Sequence, residues 1–167
     1  MDHLWTPWRL PYLQGREPLP ADCLFCIKPK EPDAEAHILH RGELCYVILN
    51  RFPYNNGHVM IAPYAHVATL QDLDTETARE LMALTQLTLS VLQDAYHPQG
   101  FNVGANIGSA AGAGVPDHVH IHVVPRWAGD TNYMTTVGKT RVIPEWIDHT
   151  YEQLHPLFEQ KSETHAE

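Results

Sequence analysis

Residues 118–124 read His-Val-His-Ile-His-Val-Val, and no other stretch of the chain restricts its own backbone so tightly. Valine and isoleucine, branched at Cβ, favour extended backbone, and their alternation with histidine matches the two-residue period of a strand. In a strand, Val119, Ile121 and Val123 share one face and His118, His120 and His122 share the other. The apolar face needs a core, so a half-buried sheet follows. Three imidazoles then line one groove on its opposite face.

The other elements can be placed around that strand. Residues 44–49 (LCYVIL) form an apolar, partly β-branched run that ends at Asn50, passes a turn at residues 53–57 and resumes at 58–62 (HVMIA), which predicts two strands and a short loop. Residues 72–96 carry Ala78, Leu81, Leu84, Val91 and Ala95 at helical spacing and stop before Pro98 and Gly100, so the longest helix belongs here. Residues 101–107 (FNVGANI) alternate as a further strand, joined to 118–124 by the small-residue stretch 108–114 (GSAAGAG). Pro144 suits the first turn of a closing helix through residues 151–160. Strands arriving in adjacent pairs, with helices between pairs, predict an α+β fold with an antiparallel sheet.

Six of the thirteen prolines (Pro7, Pro11, Pro18, Pro20, Pro29 and Pro32) fall in residues 1–33, which excludes a long helix or central strand there. This divides the chain into a Pro-rich arm with a Cys pair (1–33), a folded domain (34–160) and a polar tail (161–167) expected to fray. Trp5, Trp8 and Tyr12 in the arm are expected to pack onto the domain or a partner subunit. At 167 residues the domain can bury most of its apolar surface without disulfides. No apolar run approaches membrane-spanning length and no secretory leader is visible, so a soluble, cytoplasmic protein is expected, with no membrane partner. The formal net charge of −9 argues against a basic surface for nucleic acid. An anionic ligand would have to be held locally. Cys45 lies in an apolar run and reads as a core thiol, while Arg126 and Trp127 suit either a phosphate or base contact or a solvated edge. Lys139 and Arg141 read as surface charges.

Taken on its own residues, the histidine row fits a hydrogen-bonded core strand, a three-histidine metal site or a catalytic groove. Cys23-Leu24-Phe25-Cys26 likewise fits half a zinc site, a redox pair or two buried thiols, with Pro29 and Pro32 opposing the helix that a redox pair would need.

The segment HVHIHVV resembles the signature of the histidine triad (HIT) family, and so do 49–63 (LNRFPYNNGHVMIAP), 105–118 (ANIGSAAGAGVPDH) and 124–130 (VPRWAGD), in that order. The resemblance implies a five-stranded antiparallel sheet with flanking helices, paired into a dimer, with a tetramer also open. It implies cleavage of a phosphoanhydride bond next to a nucleoside, in which His120 attacks the α-phosphorus and forms a nucleotidyl-histidine. Neutral imidazole suits that role because it is nucleophilic near pH 7 and departs readily from a phosphoramidate. By the same resemblance, His122 binds phosphate or protonates the leaving oxygen, and His58 lies beside the triad. Asn50 reaches the ribose, and Asn106 contacts the phosphate region. The backbone N–H groups of Gly112, Ala113, Gly114 and Val115 are expected to approach phosphoryl oxygens, since short side chains leave them unshielded.

The chain departs from the fragile-histidine-triad branch. That branch carries glutamine at the position of Asn106, a glutamine and a hydroxyl residue at Ala113 and Gly114, and one residue more before His118. The pattern here resembles a bacterial branch of diadenosine tetraphosphate phosphorylase-like proteins, which implies dinucleoside polyphosphates as substrates and water or inorganic phosphate as acceptor. A nucleoside phosphoramidate hydrolase and a non-catalytic nucleotide binder are the alternatives. The family resemblance also implies a structural zinc on Cys23, Cys26, His66 and His118, with no cofactor needed for the chemistry itself.

Overall fold

A computed structural model describes residues 22–130 and 145–165; the expected roles of Trp5, Trp8, Tyr12, Lys139, Arg141 and Pro144 lie outside the described residues. The described residues open with a single helical turn, α1 (Leu24–Ile27), a 3-10 turn (Lys28–Lys30) and a second short helix, α2 (Asp33–Ala36). Strands β1 (Ile38–Arg41), β2 (Cys45–Leu49) and β3 (Val59–Pro63) follow. Next come the long helix α3 (Thr75–Tyr96), β4 (Gly100–Gly104), β5 (Ile121–Arg126) and the closing helix α4 (Ile147–His165). The five strands form one sheet in the order β1-β2-β3-β5-β4, every neighbour antiparallel. This is the α+β architecture expected from the paired strands.

The sheet buries both faces, against different material. Val47, Leu49, Val59, Ile61, Ile121 and Val123 pack against Leu81, Leu84, Val91 and Leu92 of α3 and Leu154 and Phe158 of α4. On the other face Ile38, Tyr46, Ile48, Met60 and Ala62 pack against Phe25 and Ala36 of the N-terminal turns. Odd and even residues of β2 and β3 therefore belong to separate cores, as the two-residue period requires. The side chain of Glu80 joins α3 to the start of β2 by accepting from the N–H groups of Leu44 (2.9 Å) and Cys45 (3.3 Å). Among the described residues no helix is long and apolar enough to cross a membrane.

Several expected boundaries shift, each for a local reason. Strand β1 is not resolved by apolar alternation, because it is four residues long and its register slips between Ile38 and His40. The long helix starts at Thr75, not at residue 72: Asp74 accepts from the Thr77 N–H at 2.9 Å as its cap, and residues 70–72 form a separate 3-10 turn. The histidine strand enters the ladder only at Ile121, where it meets Ile61, and continues to Arg126. Its neighbour β3 ends at Pro63, which has no N–H to extend the ladder. Val119 donates instead to the Val67 carbonyl at 2.8 Å. Strand β4 correspondingly ends at Gly104 opposite His122, leaving residues 105–107 outside the sheet. The closing helix extends well beyond residues 151–160 and tolerates Pro156. The tail is helical through His165, with Lys161 bound to Ser90 (2.6 Å) and Asp94 (2.7 Å).

Phe158 is fully buried where α4 meets the sheet. Phe158→Ala is expected to lower the unfolding free energy by about 3–5 kcal/mol, read from the urea midpoint at unchanged slope.

Candidate active site and metal centre

The residues left over when Ile121 and Val123 turn toward the helices are the triad histidines, on the face occupied by Phe25 and Met60. His118 and His120 are buried, at 0% and 5% exposure, and His122 is half-buried. Burying an imidazole disfavours its charged form, and burial is the main cause that lowers the pKa of all three. His122 is brought down to about 4, with the neighbouring His120 adding to the effect of burial. At neutral pH the row is therefore uncharged.

Hydrogen bonds fix which nitrogen of each ring carries its proton. The Nδ1–H of His120 donates to the His118 carbonyl at 2.9 Å, so its Nε2 holds a free lone pair. The Tyr54 N–H donates to Nδ1 of His58 at 3.0 Å. The proton of His58 is then on Nε2, which donates to Nδ1 of His122 at 2.9 Å. His122 in turn carries its proton on Nε2. A lone pair on His120 thus stands beside a donor on His122, with the rings edge to face and their centroids 4.7 Å apart.

The second cluster joins four donors distant in sequence. Cys23, Cys26, His66 and His118 present ligand atoms that all lie within 4.8 Å of one another. The Cys23 Sγ is 3.3 Å from Nδ1 of His118, and the Cys26 Sγ is 3.3 Å from Nδ1 of His66 and 3.6 Å from Nδ1 of His118. The Nε2–H of His118 donates to the Pro63 carbonyl at 2.9 Å, which leaves the Nδ1 lone pair aimed at the cysteines. Fixing the tautomer through the outer nitrogen is what a metal-ligating histidine requires, and two sulfurs with two imidazoles make a tetrahedral donor set. These four residues can hold a metal ion.

The remaining expected site residues are spread more widely. The Oδ1 of Asn50 accepts from the Phe52 N–H at 2.8 Å, and its Nδ2 lies 3.4 Å from both ring nitrogens of His58. Asn50 and His58 also border a cavity of about 270 Å³ that reaches Ile147 and Trp146. The Gly112 N–H donates to Ser109 in a turn where Gly112 has φ +83°, and Val115 packs against the core that contains Phe25. Asn106 is half-buried in the loop after β4. Arg126 is committed to Asp130 (2.6 and 2.8 Å) and to Asn102 (2.5 Å). Cys45 is a core thiol, its pKa pushed up to about 12 chiefly by burial.

Sequence reasoning missed Phe25, Tyr54 and Pro63. Phe25 could have been noticed as the aromatic residue enclosed by the cysteine pair. Pro63 and Tyr54 act through backbone groups, which side-chain chemistry does not signal.

The fold and site together define a five-stranded antiparallel sheet that carries a row of neutral histidines beside a donor set of two cysteines and two histidines. The family model for the HIT domain matches residues 31–129, and the chain belongs to this histidine triad family. It is 41% identical over 158 residues to the AP-4-A phosphorylase of Mycobacterium tuberculosis, covering 90% of this chain and 80% of that protein. It is 28% identical over 132 residues to the bis(5'-adenosyl)-triphosphatase of Dictyostelium discoideum, covering 75% of this chain and 88% of that one. Among solved structures, a zinc-bound histidine triad family protein from Mycobacterium smegmatis superposes with a TM-score of 0.68 at 27% identity, covering 86% of this chain and 97% of that one.

The lowered pKa of His122 carries a stability consequence. The unfolded chain binds a proton at His122 below pH 6.5 and the folded chain does not until about pH 4, so stability is complete above 6.5 and falls as pH drops between the two. Thermal melts from pH 7.5 to 4.5 are expected to show this decline, with a shallower slope in His122→Asn.

Proposed function

We propose that this protein cleaves dinucleoside polyphosphates of the diadenosine tetraphosphate type through a nucleotidyl-histidine intermediate. The observation that carries this reading is the hydrogen bond from Nδ1–H of His120 to the His118 carbonyl, which commits one ring nitrogen and leaves Nε2 as a nucleophile. In the first step the Nε2 lone pair of His120 forms a bond to the α-phosphorus, and the bond from that phosphorus to its bridging oxygen breaks. The Nε2–H of His122 donates a hydrogen bond to the departing oxygen, which leaves as a phosphate anion, and His58, donating to Nδ1 of His122, holds that N–H in place. In the second step an acceptor oxygen attacks the phosphorus and His120 departs as a neutral imidazole. Splitting the displacement this way replaces one difficult transfer with two easier ones.

Inorganic phosphate is the proposed acceptor, supported by the 41% identity to a protein named as a phosphorylase. Asn50, beside His58, is the proposed ribose contact, and Asn106, Gly112, Ala113, Gly114 and Val115 the proposed phosphate contacts. The Gly112 N–H is already engaged, so Ala113, Gly114 and Val115 carry the cradle. Zinc is the proposed metal for Cys23, Cys26, His66 and His118. A bound zinc ion there supplies no reaction chemistry, because four protein ligands close the coordination sphere. Thiolate ligands need reducing surroundings, which fits a cytoplasmic location. Among the described residues β4 is an edge strand, with Val103 47% exposed, and its outer edge is the proposed pairing surface for a second copy in the proposed dimer.

Incubation with diadenosine tetraphosphate is expected to give adenosine diphosphate as a phosphate-dependent product, and turnover should exceed that of an adenosine phosphoramidate. His120→Ala should reduce the rate on the order of a thousandfold or more. Turnover that survives this substitution contradicts the mechanism, and indifference to phosphate contradicts the acceptor. Metal analysis of untagged protein should find about one zinc per chain, as a closed four-ligand site requires. Cys23→Ser should lose most of it.

A further inference from the structure

Only Leu24 and Phe25 separate the two cysteines, and the fold uses them differently. Leu24 is half-buried, whereas Phe25 is 2% exposed and is held by its own carbonyl, which accepts from the Tyr46 hydroxyl at 2.8 Å. The Phe25 ring lies against two members of the triad. Its centroid is 4.5 Å from that of His120 at 35° and 5.3 Å from that of His118 at 45°. One residue thus bridges the cysteine turn and the nucleophile.

We propose that Phe25 is a positioning residue for His120, and that metal held by Cys23, Cys26, His66 and His118 sets the orientation of the His120 ring through it. This rests on the proposed role of His120 as nucleophile. A single hydrogen bond at Nδ1 fixes one point of the imidazole and leaves the plane free to tilt about that bond. In-line attack on phosphorus needs the Nε2 lone pair aimed along the bond to be broken, so tilt is costly to rate. Phe25 covers one part of the ring and His122 meets it edge to face, which removes that freedom.

The link to the metal is geometric. The N–H groups of Cys26 and Ile27 both donate to the Cys23 carbonyl, at 3.0 and 3.1 Å, closing a single turn around Phe25. One isolated turn is unstable by itself, because nucleation fixes several dihedrals for few hydrogen bonds. With both sulfurs bound, the turn is clamped at each end and Phe25 cannot withdraw. With the sulfurs released, the tyrosine hydroxyl is the main remaining hold on its backbone.

The experiment compares zinc-loaded wild type with Phe25→Leu and Phe25→Met, which keep apolar bulk and lose the ring. Zinc content and thermal unfolding establish that each variant is folded and loaded. The His120 ring signals in NMR spectra, assigned by their loss in His120→Ala, report without substrate how well the ring is ordered, through their line widths and not through the shift that loss of the Phe25 ring current causes by itself. The expected result is broadened His120 signals with zinc retained, and kcat lower by about tenfold or more with KM changed far less, as misalignment of a reacting group predicts. Cys26→Ser should broaden the same signals, and combining it with Phe25→Leu should add little further loss in kcat, because both act through one contact.

His120 signals that stay as sharp as in wild type in both ring-less variants overturn the proposal. So does a loss confined to KM, which would make Phe25 a substrate contact, and so do losses in the double variant that multiply. Should Cys26→Ser fail to fold, chelator titration of loaded wild type, followed on the same signals, decides the metal arm: no broadening as zinc leaves overturns it. If His120→Ala keeps its turnover, the reading of His120 as nucleophile fails, a result distinct from any change in the Phe25 variants.

Discussion

The architecture of the site depends on how His118 is held. Its Nε2–H is bonded to the carbonyl of Pro63 at the end of β3, and its Nδ1 faces Cys23 and Cys26 from the N-terminal turn. Its own carbonyl receives Nδ1–H of His120. One buried residue therefore joins three segments and fixes the tautomer of the neighbouring imidazole. Without the Pro63 bond the His118 ring could present either nitrogen to the cysteines, and the donor set would no longer be defined. Pro63 is suited to this because, lacking an N–H, it ends the ladder and leaves its carbonyl for a side chain.

The two faces of the sheet divide the work of stability and chemistry. The helix face carries most of the large apolar side chains, from Leu81 to Phe158, and nothing on it takes part in the proposed reaction. The opposite face is smaller, and its core includes Phe25, which touches both His118 and His120. Polar residues can be buried there because each finds a partner: His118 on Pro63, His120 on His118, and His58 on Tyr54 and His122. Unpartnered, such groups would cost several kcal/mol in total, at roughly 1–3 kcal/mol each.

How much of this could be read beforehand follows from the range of each interaction. The alternation at residues 118–124 correctly separated Ile121 and Val123 from the histidines, because side-chain period is a local property. The same local reading misplaced the start of the strand, since pairing depends on where a distant neighbour ends, and Pro63 ended it early. Strand β1 escaped detection because four residues with a register slip carry too little alternation to register. The four metal donors were matched by resemblance, not by spacing, and the fold brings His66 and His118 to the cysteine pair. Tyr54 lay in a loop with no pattern at all, and its contribution is a backbone N–H.

That N–H has a consequence out of proportion to its size. By donating to Nδ1 of His58 it sets the proton of His58 on Nε2, which in turn sets the proton of His122 on its Nε2. The chain of neutral tautomers has a direction, and it ends with a donor next to the His120 lone pair. Charging His122 would place a cation beside His120 in a half-buried setting, and burial with that neighbour holds its pKa near 4. In the proposed reaction the Nε2–H of His122 serves as a neutral hydrogen-bond donor to the departing oxygen, and the Nε2–H of His58 at Nδ1 keeps the ring in that tautomer. In a chain of net charge −9, neutral donors of this kind and backbone amides are how the proposed site would meet phosphate without a cluster of cations.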